Sequence, residues 1–130
     1  MATTYLDSSA VVKLAVRERE SEALRKYLRR RRPLVSSALA RTEVLRALLP
    51  GGEEALAAGR RVLGLLDLVR LNDRVLNSAG TLRPSELRSL DAIHLATAEM
   101  LGGELAAFVT YDERMAAAAT KLGHRVTAPS

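Results

Sequence analysis

Short apolar runs and amphipathic stretches alternate along the whole chain. Runs of apolar and β-branched residues indicate strands, and apolar positions that recur every three to four residues indicate helices. The pattern predicts strands at residues 3–6, 34–36, 68–71, 107–110 and 124–127. It predicts helices at residues 10–16, 21–31, 39–48, 53–66, 72–80, 90–101 and 113–122, with a polar loop at 82–87.

Proline and glycine separate these elements. Pro33, Pro50 and the glycine pairs at 51–52 and 102–103 each follow a helical stretch and are expected to end it. Ser8 and Ser9 are expected to cap the first helix. Strands that alternate with helices form a parallel sheet covered by helices. We therefore predict an α/β fold in a single domain, residues 1–130, with a central parallel sheet of four to five short strands flanked by helices.

The composition is that of a basic globular domain without cysteine. The formal net charge is +5 and the pI is about 10.2. The lack of cysteine excludes disulfides and thiolate metal sites. Aromatic residues make up 3%, which argues against a non-catalytic single-strand binder that stacks bases on aromatic rings. No run approaches the roughly 20 apolar residues that cross a membrane, and the first seven residues do not read as a signal peptide. We expect a cytoplasmic protein that attracts polyanions.

Two acids follow predicted strands directly. Asp7 comes after the first strand, and Asp112 comes just past the strand at 107–110. Ligands of open α/β sheets bind beyond the carboxyl ends of the strands. If the two strands are neighbours, both carboxylates lie at that edge, and their mutual repulsion favours a bound cation.

Two further acids lie among aliphatic residues that are expected to face the core. Glu43 is on the third predicted helix, and Asp91 opens the helix at 90–101. An Asp in a first helical turn can also simply stabilise the helix dipole. Together, however, the four acids indicate a site for Mg²⁺ or Mn²⁺, which prefer oxygen ligands. Beside a basic surface, such a site suits phosphodiester hydrolysis.

The two histidines have different expected roles. His94 lies one helical turn after Asp91, so it is either a general base or, as we favour, a residue that packs at a helix interface. His124 follows Gly123 and is expected to be structural. With only these two imidazoles and no thiolate, an imidazole-rich or thiolate zinc site is disfavoured.

Four segments resemble the motifs of one family. They are YLDSSA at 5–10, TEV at 42–44, LDAIHLATA at 90–98 and FVTYD at 108–112. In this order, and over essentially the whole chain, they resemble the motifs of the PIN-domain family and, within it, the VapC toxins of bacterial toxin–antitoxin pairs. The resemblance implies a compact α/β fold and a Mg²⁺- or Mn²⁺-dependent endoribonuclease. It also implies a homodimer that is inhibited by a cognate VapB-like antitoxin.

The resemblance also assigns roles to individual residues. It makes Asp7, Glu43, Asp91 and Asp112 the catalytic acids. We expect Asp7, Asp91 and Asp112 to hold the metal, and Glu43 to orient the attacking water. Ser9 and Thr110 match hydroxyl positions near the acids, where hydrogen bonds to carboxylates or metal waters are expected. Some relatives carry a further acid after the last motif; Glu113 is the only candidate here, and we expect it to point elsewhere.

The densest basic cluster has two interpretations. It is either a solvated helix C-terminus, where cations are favourable, or a contact to the RNA backbone. A backbone contact would position the substrate without reading its bases. The cluster comprises Arg25, Lys26, Arg29, Arg30, Arg31 and Arg32.

Three other functions remain as alternatives. A phosphoryl-transfer receiver or phosphatase would need two acids together at the first strand's end, but Ser8 and Ser9 follow Asp7. A nuclease on the same framework could act on DNA. A catalytically inactive partner-binding module is the third alternative, and the presence of all four acids argues against it.

Overall fold

The computed structural model of the protein describes residues 2–130, and within them five strands form one parallel sheet. Along the sheet the spatial order is β3-β2-β1-β4-β5, with every neighbouring pair parallel. This confirms the predicted α/β fold. The strands are β1 (Thr3–Leu6), β2 (Leu34–Ser37), β3 (Asp67–Val69), β4 (Leu105–Val109) and β5 (Val126–Thr127).

Helices connect the strands and cover both faces of the sheet. They are α1 (Ser8–Ala15), α2 (Ser21–Leu28), α3 (Ala40–Leu48), α4 (Gly52–Leu63), α5 (Asp73–Gly80), α6 (Ser89–Glu99) and α7 (Glu113–Lys121). In the described residues no helix is long and apolar enough to cross a membrane.

The core lies in two layers, one on each face of the sheet. Successive strand residues point to opposite faces, so Tyr5 and Leu6 belong to different layers although they are neighbours in sequence. Leu6 packs with apolar residues of α1, α2, α3 and α4. Tyr5 packs with Phe108 of β4, with Leu95 of α6 and with residues of α7. Both sides of the two central strands are therefore buried, as parallel sheets require.

Several helix ends differ from the sequence prediction: α4 ends at Leu63 rather than at residue 66, and α6 ends at Glu99 rather than at residue 101. α1 begins at Ser8, and its N-cap is Asp7 rather than a serine, because an Asp7 carboxylate oxygen accepts from the Ala10 amide. α2 ends at Leu28 instead of residue 31. The Arg31 amide donates to the Leu28 carbonyl, which closes a turn at the end of the helix. The helix cannot readily continue to Pro33, because the residue before a proline disfavours the helical conformation.

The topology brings several helix starts to one edge of the sheet. β1, β2 and β4 end at the same edge because all strands are parallel. α1, α3 and α7 each begin just after one of these strands, and α6 begins there because it runs back toward the start of β4. We call this edge the carboxyl edge; all four predicted acids lie in segments that begin there.

Candidate active site

Asp7 lies at the centre of the carboxyl edge, directly after the central strand β1. Its side chain is buried, with 3% of the residue exposed. The Ser9 hydroxyl donates to Oδ1 at 2.6 Å, and the Thr110 hydroxyl donates to Oδ2 at 2.5 Å. Burial raises the pKa of Asp7, although the two hydroxyl donors partly oppose this. The site therefore holds a desolvated carboxylate in a fixed orientation.

Ser9 and Thr110 also connect Asp7 to the segment after β4. The Ser9 hydroxyl accepts from the Tyr111 amide at 2.9 Å, and the Thr110 hydroxyl accepts from the Asp112 amide at 3.0 Å. Each hydroxyl thus donates a hydrogen bond to Asp7 and accepts one from a backbone amide. Asp7 and Asp112 are consequently tied to one another through Thr110.

Asp112 and Asp91 share one cationic neighbour, Arg88. The Arg88 guanidinium lies 3.3 Å from Asp91 Oδ2 and 3.8 Å from Asp112 Oδ2. The other oxygen of Asp112 caps α7 by accepting from the Arg114 and Met115 amides at 2.9 and 3.2 Å. Arg88 is mostly exposed, so its ion pairs are weak and exchangeable.

Glu43 occupies a separate part of the carboxyl edge, on the first turn of α3. Its Oε1 accepts from the Ser8 hydroxyl at 2.5 Å and lies 2.7 Å from His94 Nε2. Partial burial raises the pKa of Glu43, but the hydrogen bonds with His94 and Ser8 outweigh this effect and the net shift is downward. Beneath it, the Tyr5 hydroxyl lies 2.7 Å from His94 Nδ1.

The acid side chains supply the donors that a hard divalent cation prefers. Asp7, Asp91 and Asp112 offer carboxylate oxygens, and Arg88 shows that positive charge is accommodated between two of them. Within residues 2–130, no three His, Asp or Glu side chains are arranged as a ready metal site. The residues present therefore fit Mg²⁺ or Mn²⁺ by donor chemistry, with two of the acids paired to Arg88.

A basic cleft opens beside Asp91. Its volume is about 500 Å³, and its wall includes three cationic side chains (Arg88, Arg114 and Lys121), two acids (Glu86 and Asp91) and apolar residues. We call this cavity the basic cleft. The sequence did not predict it, because its cations come from the residue before α6 and from α7, which are distant in sequence. The one available signal was the spacing of Arg88 three residues before Asp91, which suits an ion pair on a helix.

The basic cluster at residues 25–32 lies elsewhere. Its last residues precede β2, at the opposite edge of the sheet from the acids. The Arg31 carbonyl accepts from the Thr4 hydroxyl at 2.9 Å, near the start of β1. The Arg25 guanidinium bonds the Leu14 carbonyl at the end of α1. The structure thus does not bring this cluster to the acids, and contact with RNA stays a prediction.

Within residues 2–130, two other residues form no hydrogen bond or ion pair with the four acids, although the first of them directly follows Asp112. Glu113 is exposed on the first turn of α7. His124 stacks on Phe108, with 6.3 Å between ring centroids, and its Nε2 lies 3.6 Å from a Glu99 carboxylate oxygen.

Comparisons with known proteins agree on one family. The sequence profile of the PIN domain matches residues 4–121. The chain is 65% identical to Ribonuclease VapC46 of Mycobacterium tuberculosis (strain ATCC 25618 / H37Rv), over 100% of both chains. It is 43% identical to Ribonuclease VapC35 of the same strain, over 96% of both chains.

Solved structures share the fold at low sequence identity. The crystal structure of Mycobacterium tuberculosis VapC20, described as a Sarcin-Ricin loop cleaving toxin, has a TM-score of 0.77 at 14% identity and covers 97% of this chain and 99% of its own. The structure of VapBC-1 from nontypeable Haemophilus influenzae has a TM-score of 0.66 at 12% identity and covers 97% of both chains.

Proposed function

The chain belongs to the PIN-domain family, and we propose that it is a VapC-type toxin, a metal-dependent endoribonuclease that cleaves cellular RNA. The full-length similarity to ribonucleases of this type supports the activity. The observation that carries it is the buried Asp7 carboxylate, which Ser9 and Thr110 orient where two central strands end. One PIN-like ribonuclease domain then accounts for residues 1–130.

Each acid has a role in this proposal. Asp7, Asp91 and Asp112 hold the divalent cation, directly or through water. When bound, Mg²⁺ or Mn²⁺ stabilises charge on a phosphoryl oxygen and lowers the pKa of a coordinated water. Glu43 accepts a hydrogen bond from the attacking water and orients it toward the phosphorus, in line with the leaving oxygen. Ser9 and Thr110 fix the orientation of Asp7.

The basic cleft gives the RNA strand a path to the acids. Arg88, Arg114 and Lys121 line a cavity that reaches Asp91, so phosphates next to the scissile bond would meet cations there. Guanidinium groups bind phosphate well because their planar donors match its oxygens. Such contacts position the strand without selecting its bases.

The proposed partner is a VapB-like antitoxin that covers the acids and blocks RNA. The similarity in fold to the VapBC-1 structure supports a partner of this kind. We propose that the toxin is a homodimer, which size-exclusion chromatography with light scattering would test. Because the proposed substrate is cellular RNA, we propose that it acts in the cytoplasm.

A growth assay on cells that express the protein, and a comparison of RNA with DNA as substrates, test this function. Induced wild-type protein should arrest growth, and co-expression of a cognate VapB-like antitoxin should relieve the arrest. Asp7→Asn and Asp112→Asn should be harmless, while Glu113→Gln removes the neighbouring exposed carboxylate as a matched control and should stay toxic. Purified protein should cleave RNA and leave single-stranded DNA intact. Cleavage of DNA alone would favour the DNA nuclease, and cleavage of neither would favour an inactive module.

A further inference from the structure

His94 lies directly behind Glu43 in a buried network that the proposed reaction does not yet use. The histidine is 2% exposed and Tyr5 is fully buried. The Glu43 side chain remains 23% exposed and faces the carboxyl edge. The order from the interior outward is Tyr5 hydroxyl, His94 Nδ1, His94 Nε2 and Glu43 Oε1, with 2.7 Å at both hydrogen bonds.

The partners of His94 determine which ring nitrogen carries the proton. An ionised carboxylate can only accept hydrogen bonds, so Nε2 must donate to Glu43. A tyrosine hydroxyl keeps its proton at neutral pH, and in the described residues Nδ1 is the hydrogen-bond partner of that hydroxyl. If this hydroxyl gives its proton to Nδ1, then Nδ1 is an acceptor and the ring is the neutral tautomer with its proton on Nε2.

These bonds hold one oxygen of Glu43 and leave the other available. The Ser8 hydroxyl and His94 Nε2 both meet Oε1. Within residues 2–130, Oε2 has no hydrogen-bond partner among the protein groups. A carboxylate held at one oxygen can present the other to a water or a substrate hydroxyl in a fixed direction, and such preorganisation accelerates reactions.

The same geometry argues against His94 as the general base. Its Nε2 proton is directed at Glu43, its Nδ1 faces the buried Tyr5, and the ring is almost entirely shielded from solvent. A base has to come within hydrogen-bond distance of the group that it deprotonates. His94 can thus influence the reaction only through its neighbours at the carboxyl edge, of which Glu43 is the nearest at 2.7 Å and the Ser8 hydroxyl lies at 3.2 Å.

We propose that His94 is a positioning residue, which Tyr5 holds in its Nε2-protonated tautomer so that it fixes Glu43 Oε1 and directs Oε2 at the reacting water. The kinetic part of this inference rests on the proposed ribonuclease activity. The tautomer does not, because it can be observed in protein that is not turning over.

Nitrogen-15 NMR of the histidine rings tests the tautomer. The chain has two histidines, so His94→Gln assigns the spectrum by removing one set of signals. We expect His94 to be protonated at Nε2 only, and Tyr5→Phe, which removes the donor to Nδ1 but keeps Glu43, to allow protonation at both nitrogens. A wild-type ring protonated at Nδ1, or at both nitrogens at neutral pH, would overturn the proposal.

Kinetics test the action through Glu43. His94→Phe removes the hydrogen bonds to Tyr5 and Glu43. It should lower kcat for RNA cleavage about 10- to 100-fold, the usual cost of losing a residue that orients a functional group without touching the substrate, with KM nearly unchanged. His94→Gln can still donate to the carboxylate and should recover part of the loss. His124→Phe alters the other histidine, which stacks on Phe108 away from the acids, and should leave kcat unchanged.

A double-mutant comparison separates positioning from general loss of structure. In a Glu43→Gln background, His94→Phe should cause no further loss of the residual rate, because the group through which it acts is already altered. Independent, multiplicative losses would overturn the inference, as would wild-type kcat in His94→Phe. If the wild-type protein cleaves no RNA, the proposed function fails, and the NMR result still decides the tautomer.

Discussion

The Thr110 hydroxyl donates a 2.5 Å hydrogen bond to Asp7 Oδ2 across 103 residues of sequence. The two residues directly follow the neighbouring strands β4 and β1, so the bond closes the carboxyl edge of the sheet at its centre. Since the same hydroxyl accepts from the Asp112 amide, one side chain sets the position of two acids.

Removing the Thr110 hydroxyl should therefore impair activity and stability together. Thr110→Val keeps the shape but leaves a buried carboxylate oxygen and the Asp112 amide without this partner. We expect a 10- to 100-fold slower cleavage, about the cost of losing an outer-shell partner, and a loss of about 1–3 kcal/mol in the free energy of unfolding. Urea denaturation and a cleavage assay check both. Thr120→Val, on the exposed side of α7, is the control and should change neither by a comparable amount.

The raised pKa of Asp7 predicts how stability depends on pH. Well below the unfolded pKa of about 4, both states are protonated and the site contributes no charge penalty. Between the unfolded pKa and the higher folded pKa, the unfolded chain ionises Asp7 while the folded state keeps it protonated, so the free energy of unfolding falls as the pH rises; above the folded pKa the loss is complete. Asp7→Asn cannot ionise, so in EDTA its free energy of unfolding relative to wild type should improve as the pH rises from about 4 and level off once the folded-state pKa is passed. A difference independent of pH, or one that shifts toward wild type, would contradict this.

Arg88 should compete with a metal for Asp91 and Asp112. Its guanidinium lies near an oxygen of each acid, and exposed ion pairs contribute roughly 0.2–1 kcal/mol. Arg88→Gln should accordingly lower the Mn²⁺ concentration for half-saturation by a modest factor, measured by calorimetry. Arg83→Gln is the matched control, because in the described part of the chain this exposed arginine forms no ion pair with these acids. Weaker metal binding by Arg88→Gln would show that Arg88 helps to build the site.

The salt dependence of RNA binding distinguishes whether RNA contacts the basic cleft or the cluster at residues 25–32. With catalytically impaired Asp7→Asn protein, the slope of log affinity for single-stranded RNA against log salt should fall by about 0.7 for each phosphate that the protein no longer neutralises. We expect this for Arg114→Ala and for Lys121→Ala, which line the cleft. Arg29→Ala and Arg30→Ala, near the opposite edge, should leave the slope unchanged. The reverse pattern would place the RNA on the cluster.

The sequence predicted the fold and the general position of the acids because both depend on local patterns. Alternating strands and helices imply a parallel sheet, and a parallel sheet places residues that follow its strands at one edge. Asp7 and Asp112 could be located there from strand ends alone. Glu43 and Asp91 depended on motif resemblance, because the periodicity of a helix does not show which edge its first turn faces.

Interactions between distant segments could not be predicted in the same way. The pairing of Tyr5 with His94 spans 89 residues and depends on how α6 packs over β1. Arg88 reaches Asp112 only because the loop before α6 ends close to the start of α7. The sequence predicts Asp7 as a metal ligand and Ser8 or Ser9 as the cap of α1, whereas Asp7 itself caps this helix, since a carboxylate competes with serine for the N-terminal amides.

The most direct test of the central claim is the rate of RNA cleavage by purified protein under single-turnover conditions. With Mg²⁺ or Mn²⁺, wild type and Glu113→Gln should cleave at similar rates. Asp7→Asn should be more than about 100-fold slower, since it loses a carboxylate that holds the metal rather than a residue that only orients one. EDTA should stop wild-type cleavage, and added metal should restore it. Cleavage by Asp7→Asn at the wild-type rate, or undiminished cleavage in EDTA, would contradict a metal-dependent site at the carboxyl edge.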